Sequence, residues 1–245
     1  MNANIRLILM GLVAVGAVSG TVYLYSMTWP LEQHQQQCRT ASGEPGIEAC
    51  MAVMKSEMAG KDDVTEAYTW RGNHHGELKQ YDRAIADYDA ALRLKPDAAD
   101  AQAGRGWAYS ALGQHQRAMQ DFDKVVSSKP NAYTYNVRCW ARAIWGEQLD
   151  AALADCNASL KLKPDYAAAL DSRALVDLRM GKCSRAVGDA SGALSIDANL
   201  APSRYVRGLA RLCEGNVKDG NADVAAAKKL DPKIAETYAG YGVKP

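Results

Sequence analysis

Five arginines, Arg71, Arg105, Arg138, Arg173 and Arg207, stand in register with five aspartates, Asp87, Asp121, Asp155, Asp189 and Asp223. Guanidinium and carboxylate groups repeated in this way could do one of two things. They could guide an acidic ligand along a basic track, or lock helices together through forked hydrogen bonds that lysine would not reproduce. Each arginine has its own in-phase acid, so the ten residues read as a ladder of structural ion pairs. The remaining reactive side chains do not converge. His34, His74, His75 and His115 form no metal-protease helix motif and stand beside no cysteine pair with zinc spacing. There is no Cys-x-x-Cys, no haem attachment motif and no phosphate-binding glycine loop; Gly104-Arg105-Gly106 is a fragment of a longer repeated pattern. The carboxylates have no second domain with which to form a cleft that would perturb their acidity. The sequence therefore points away from an enzyme and offers no catalytic residue, no metal site, no cofactor and no small-molecule substrate. A net charge of +1, with the basic residues spread along the chain, leaves no electrostatic footprint for nucleic acid.

The element that positions the ladder is a repeat. Pro96, Pro130, Pro164 and Pro232 are spaced by 34 or its multiple, with Ala198 in proline's place between the last two. A period of that length means stacked helical hairpins. Small residues recur at Gly72, Gly106, Cys139, Ala174 and Gly208, at Ala84, Ala118, Ala152, Ala186 and Gly220, and at Ala91, Ser159, Ala193 and Ala227, with Val125 the bulkier exception. Two helix backbones can approach at such positions. Between the first two sets lies a turn with Gly113, Gly146, Gly181 and Gly215, and Lys79 in the first copy, where a helix stops and the next reverses. Ile85, Tyr88, Ala91 and Leu92, and Met119, Phe122, Val125 and Val126, recur at helical intervals and make one apolar face per second helix. The third copy loses one residue before its first helix and gains one in its turn.

The pattern resembles the tetratricopeptide repeat family at Tyr68, Gly72, Ala84, Tyr88, Ala91 and Pro96, and again at Gly106, Tyr109, Ala118, Phe122 and Pro130. His75 departs from the family's tyrosine, and with His115 is expected to pack. The resemblance covers roughly residues 65–232. It implies an all-α fold, a right-handed superhelical solenoid of helix-turn-helix repeats, with the first helix of every repeat facing a concave groove. Counted outward from the small residues, the groove carries Trp70, Asn73, Trp107, Tyr133, Asn136, Trp140, Leu175, Tyr205 and Leu209. Tryptophan and tyrosine, which dominate many interfaces, supply five of the nine. Asn73 alone matches the family's carboxylate-gripping subtype, since the other places hold Thr69, Gly104, Tyr133 and Val137.

The chain before the repeats is organised differently. Leu7 to Trp29 carries no charge and is long enough to cross a bilayer core as one helix. Arg6 before it predicts a cytoplasmic N-terminus with the repeats on the other side, Tyr23, Tyr25 and Trp29 suit the far interface, and Pro30 ends the apolar run. A cleaved signal peptide cut near Ala17-Val18-Ser19 is the alternative, and Gly16 with Gly20 could join two anchors. The expected divisions are an anchor or signal at 1–30, a linker at 31–64 with a loop at Gly43 to Gly46 and a short helix from Ile47 to Met58, five repeats at 65–232, and a cap at 233–245. The linker resembles the pre-repeat segment of exported bacterial repeat proteins, which implies a Cys38–Cys50 disulfide. Six cysteines beyond an export segment suit an oxidising compartment. Cys139 with Cys156 and Cys183 with Cys213 are plausible pairs, while Cys139 and Cys156 would equally serve as small buried residues. The reading that follows is a membrane-anchored scaffold on the periplasmic side of a bacterial inner membrane, binding a peptide or protein in its groove. A soluble exported adaptor or assembly factor is the alternative.

Overall fold

Helix ends in the repeats are set by two backbone devices. A left-handed residue closes each first helix, with φ of 58° at Lys79, 71° at Gly113, 80° at Gly146, 71° at Gly181 and 81° at Gly215. Non-helical backbone closes each second helix, extended at Lys95, Lys163, Asp197 and Asp231 and at ψ 68° at Lys129. Four of those five precede a proline, whose ring pushes the residue before it out of helical geometry. Asp197, which precedes Ala198, adopts φ −138° without that constraint. In the third copy the extra turn residue is taken up by a second left-handed position, Gln148 at φ 54°.

The computed structural model describes residues 19–243, with side chains from Pro30 onward. Among the described residues there are thirteen α-helices and no strand. In chain order they are α1 (Ser19–Thr40), α2 (Glu44–Lys55), α3 (Lys61–Glu77), α4 (Tyr81–Leu94), α5 (Ala99–Ala111), α6 (His115–Ser128), α7 (Ala132–Trp145), α8 (Leu149–Leu162), α9 (Ala167–Arg179), α10 (Cys183–Ile196), α11 (Ala201–Cys213), α12 (Val217–Leu230) and α13 (Ile234–Gly240). They form two compact units, Met1–Gly104 and Arg105–Pro245, with the boundary inside α5.

In the first unit, Leu31, Cys38, Ala49, Cys50, Val53 and Ala67 close a small core between α1, α2 and α3. One local expectation, the start of α2, is corrected here. α1 runs on through Pro30, because a proline disfavours a helix interior by only a few kcal/mol and Leu31 and Cys38 bury apolar surface beyond it. α2 begins at Glu44 instead of Ile47, since Pro45 falls in its first turn, where a missing N–H is no loss. The span expected over Leu7 to Trp29 falls on residues 7–18, outside those described, and on 19–29, of which only the backbone is. No helix of the described residues is long and apolar enough to cross a membrane.

Cys38 and Cys50 are disulfide-bonded across a separation of 12 residues. His74 Nε2 donates to the Cys38 carbonyl at 2.8 Å, so the bridge is tied to α3 as well. A Cβ on Gly46 would come within 2.5 Å of that imidazole, which is why glycine stands there. Cys50→Ser is expected to cost about 2–3 kcal/mol by the chain-entropy relation for such a loop. Hydrogen exchange of α1 and α2 should accelerate accordingly; unchanged exchange would mean that the apolar packing alone holds them.

In the second unit the first and second helices of each repeat meet at the small residues. A Cβ on Gly106 would lie 2.9 Å from the Phe122 ring, and one on Gly208 would lie 2.9 Å from the Val224 backbone nitrogen. α7 starts on a reciprocal cap, Asn131 Oδ1 accepting from the Thr134 N–H and Thr134 Oγ1 from the Asn131 N–H, both at 3.0 Å. Cys139–Cys156 and Cys183–Cys213 are also disulfides, the first joining α7 to α8 and the second α10 to α11.

Candidate functional site

The arginine and aspartate side chains meet pairwise between the helices of each repeat. The guanidinium Nε and Nη2 donate to the two carboxylate oxygens at 2.9 and 2.5 Å in Arg71–Asp87, 2.8 and 2.6 Å in Arg105–Asp121, and 2.9 and 2.6 Å in Arg138–Asp155. The same fork measures 2.7 and 2.8 Å in both Arg173–Asp189 and Arg207–Asp223. Four of the five aspartates are buried, Asp121 being 2% exposed, and Asp189 is the least enclosed. The carboxylate hydrogen bond raises the guanidinium pKa of Arg71, Arg138, Arg173 and Arg207 against the opposing pull of burial. Asp155 takes a second guanidinium from Arg142, and Asp223 a second from Arg211 at 2.7 Å. These groups satisfy one another and leave no track for an acidic ligand.

The nine aromatic, amide and apolar residues expected to line a groove do not share one fate. Trp70 packs against the α1–α2–α3 core, and Asn73 Oδ1 accepts the Tyr88 hydroxyl at 2.8 Å. Trp107 lies edge-on to the buried Phe122 ring, with centroids 5.0 Å apart. Leu175, Tyr205 and Leu209 are 0%, 1% and 4% exposed, so as an open contact surface they are corrected to core. The reason is the C-terminal segment. Ile234, Tyr238 and Val243 join the same apolar cluster as those three, the Tyr238 ring lies 5.0 Å from that of Tyr205, and Tyr241 meets Trp140 edge-on at 6.2 Å. Arg179 anchors the segment by donating to the Tyr241 carbonyl, and donates to the Ile144 carbonyl at 3.3 Å as well.

What remains open lies at the N-terminal ends of α7 and α9. Tyr133 is 59% exposed. Asn136, one turn along α7, is buried; its side chain hydrogen-bonds the Tyr166 hydroxyl, while its Oδ1 has no partner among the described residues. Burial raises the Tyr166 hydroxyl pKa, Tyr133 adds to the rise, and the Asn136 bond opposes it. The open Tyr133 ring beside Tyr166 is placed to cover the side chains of a bound segment, with Asn136 holding the Tyr166 hydroxyl from beneath. His75 bonds Gln80 at 2.8 Å and His115 stacks on Trp145 at 5.4 Å. No three metal-binding side chains come together among the described residues.

A buried polar pair went unnoticed in the sequence. Ser203 Oγ donates to Asp171 Oδ1 at 2.6 Å beneath Tyr238, and burial pushes the Asp171 carboxyl up to about 6. A folded pKa raised above the ordinary 3.8 means the folded chain holds the proton longer. That contribution to stability is present below pH ~4 and lost as pH rises to ~6. Between pH 5 and 7 the loss should be about 1 kcal/mol. Asp171→Asn keeps the serine's acceptor and removes the titration, so its melting midpoint should drop less than the wild type's over that interval. Parallel curves would show that Asp171 titrates normally.

Residues 71–133 match the model of the tetratricopeptide repeat family. No curated protein matches the chain. Among solved structures, a tetratricopeptide repeat protein from Parabacteroides merdae is 17% identical over 97% of this chain and 90% of its own, with TM-score 0.68. A thermophilic repeat protein from Thermus thermophilus is 21% identical over 73% and 97%, with TM-score 0.62. YrrB, described as a repeat protein with an unusual peptide-binding site, is 19% identical over 80% and 100%, with TM-score 0.53. The hairpins and the in-phase small residues agree with that match, so residues 71–133 carry tetratricopeptide repeats and the chain shares the fold of these solved repeat proteins.

Proposed function

We propose that the protein is a non-enzymatic scaffold that binds a peptide or protein segment on the first-helix face of its repeats, through Tyr133, Asn136 and Tyr166. The observation that carries this reading is the 59% exposed Tyr133 ring, set beside Tyr166, whose hydroxyl bonds the buried Asn136 side chain. A tyrosine ring supplies apolar contact area with a polar tip, and Asn136 holds one of the two rings in place. The peptide-binding site ascribed to YrrB supports peptide as the ligand class. The chain is further proposed to be anchored through residues 7–29 with its repeats on the periplasmic side of a bacterial inner membrane. The uncharged 23-residue stretch and the three disulfides support that placement.

Peptides selected from a random library on the full-length chain should bind saturably, with one peptide per chain by calorimetry. Tyr133→Ala and Asn136→Leu should each weaken them at least tenfold, about 1.4 kcal/mol. Unchanged affinity in both variants would place binding on another face. Carbonate washing of membranes should leave the intact protein in the pellet; its release would mean a soluble exported chain.

A further inference from the structure

We propose that residues 234–243 are a displaceable resident ligand, holding in cis a second stretch of the first-helix face that a helical peptide with aromatic residues at i and i+3 takes in trans. The inference rests on the peptide-binding reading above and adds its regulation. The segment occupies the face as a ligand would: Tyr238 and Tyr241 set their rings on Tyr205 and Trp140, and α13 runs for only seven residues. A helix that short has little stability of its own. No disulfide holds it either, since the last cysteine is Cys213.

Its fit is also incomplete, in three places. The Tyr238 hydroxyl is buried without a hydrogen-bond partner, near the Asp171 carboxyl. Arg179 Nε is likewise buried and unpartnered, and among the described residues this guanidinium meets no carboxylate, unlike the five ladder arginines. Beside it an unfilled recess of about 480 Å³ opens between Leu178, Leu209 and Val243. Each orphaned group weakens the seated state relative to one in which it is bonded. A peptide that carries phenylalanine at the place of Tyr238 and an acidic side chain reaching Arg179 would meet the first two, and an apolar side chain in the recess the third. That is the partner chemistry this surface fits.

The probe is a fluorescein-labelled synthetic peptide spanning residues 232–245, titrated by anisotropy against the full-length chain and against full-length Tyr238→Ala/Tyr241→Ala. A tethered copy competes at an effective concentration in the millimolar range. The variant should therefore bind the peptide at least tenfold more tightly than the wild type, and a Tyr238→Phe peptide should bind the variant no more weakly than the native one. Equal affinity for the two chains, or no binding to a variant that keeps its helical signal, overturns the proposal. Neither result touches the Tyr133–Asn136 site, which the library peptides test separately. Hydrogen exchange on the wild type gives an answer independent of the variant's folding: amides of residues 234–243 should exchange at least a hundredfold faster than those of α9 and α11. Exchange together with those helices would make the segment a fixed cap and overturn the proposal as well.

Discussion

Replacing Asp155 by alanine is expected to lower folding stability by about 3–5 kcal/mol, the range for stranding one side of a buried ion pair. Two guanidinia lose their acceptor at once. Arg138 gives up both arms of its fork and keeps only the exposed Asp123 at 2.9 Å, while Arg142 is left with Gln148 at 3.2 Å and Asp123 at 3.6 Å. For a chain of this size the melting midpoint should fall by roughly 10 °C. Asp189, which serves Arg173 and is the most exposed carboxylate of the five forks, should cost least when replaced in the same way. Circular dichroism melts of Asp155→Ala, Asp121→Ala and Asp189→Ala should therefore rank in that order. Three equal midpoints near the wild type's would reduce the ladder to surface decoration.

The second large effect concerns two tryptophans whose phase on the first helices makes them look like interface anchors. Trp107 packs on Phe122 in one apolar cluster, and Trp140 packs on the larger cluster that includes Tyr205 and Leu175. Truncating a core tryptophan costs about 3–5 kcal/mol, and because these two rings are partly exposed the lower end applies. They belong to different clusters, so Trp107→Ala with Trp140→Ala should cost about 6 kcal/mol in sum. The double variant should melt far earlier than the wild type. A preserved midpoint with lost peptide binding would instead restore both rings to the binding surface.

These two cases mark what could be read from the sequence. The ladder was legible because a forked ion pair dictates both residue types and the spacing between them, and the structure holds them as five forks. Arg142 and Arg211, which add second guanidinia to Asp155 and Asp223, have no counterpart in every copy and so gave no periodic signal. The groove residues were half legible. Helical phase tells which side of a helix a ring occupies, and that side was the first-helix face for Tyr133 and Tyr205 alike. It does not tell what lies on top. Tyr133 is open, whereas Tyr205 is covered by a segment whose sequence, beginning like one more first helix, discloses nothing of where it docks. The Asp171–Ser203 pair was invisible for a similar reason, since it joins adjacent repeats through residues that the repeat pattern does not fix. His74 was legible only as half of an adjacent histidine pair; the carbonyl it bonds belongs to Cys38, on α1.

On the proposed reading a peptide is held at the N-terminal ends of α7 and α9, against the Tyr133 and Tyr166 rings that flank the buried Asn136. Mapping a library-selected peptide on the full-length chain tests this most directly, using a photoreactive group beside the peptide's anchoring residue and mass spectrometry of the adducts. Adducts should concentrate on Tyr133, Tyr166 and their neighbours on α7 and α9, and be lost in Asn136→Leu while the helical signal persists. Adducts confined to the second helices α6, α8 and α10, or unchanged by that substitution, would contradict it.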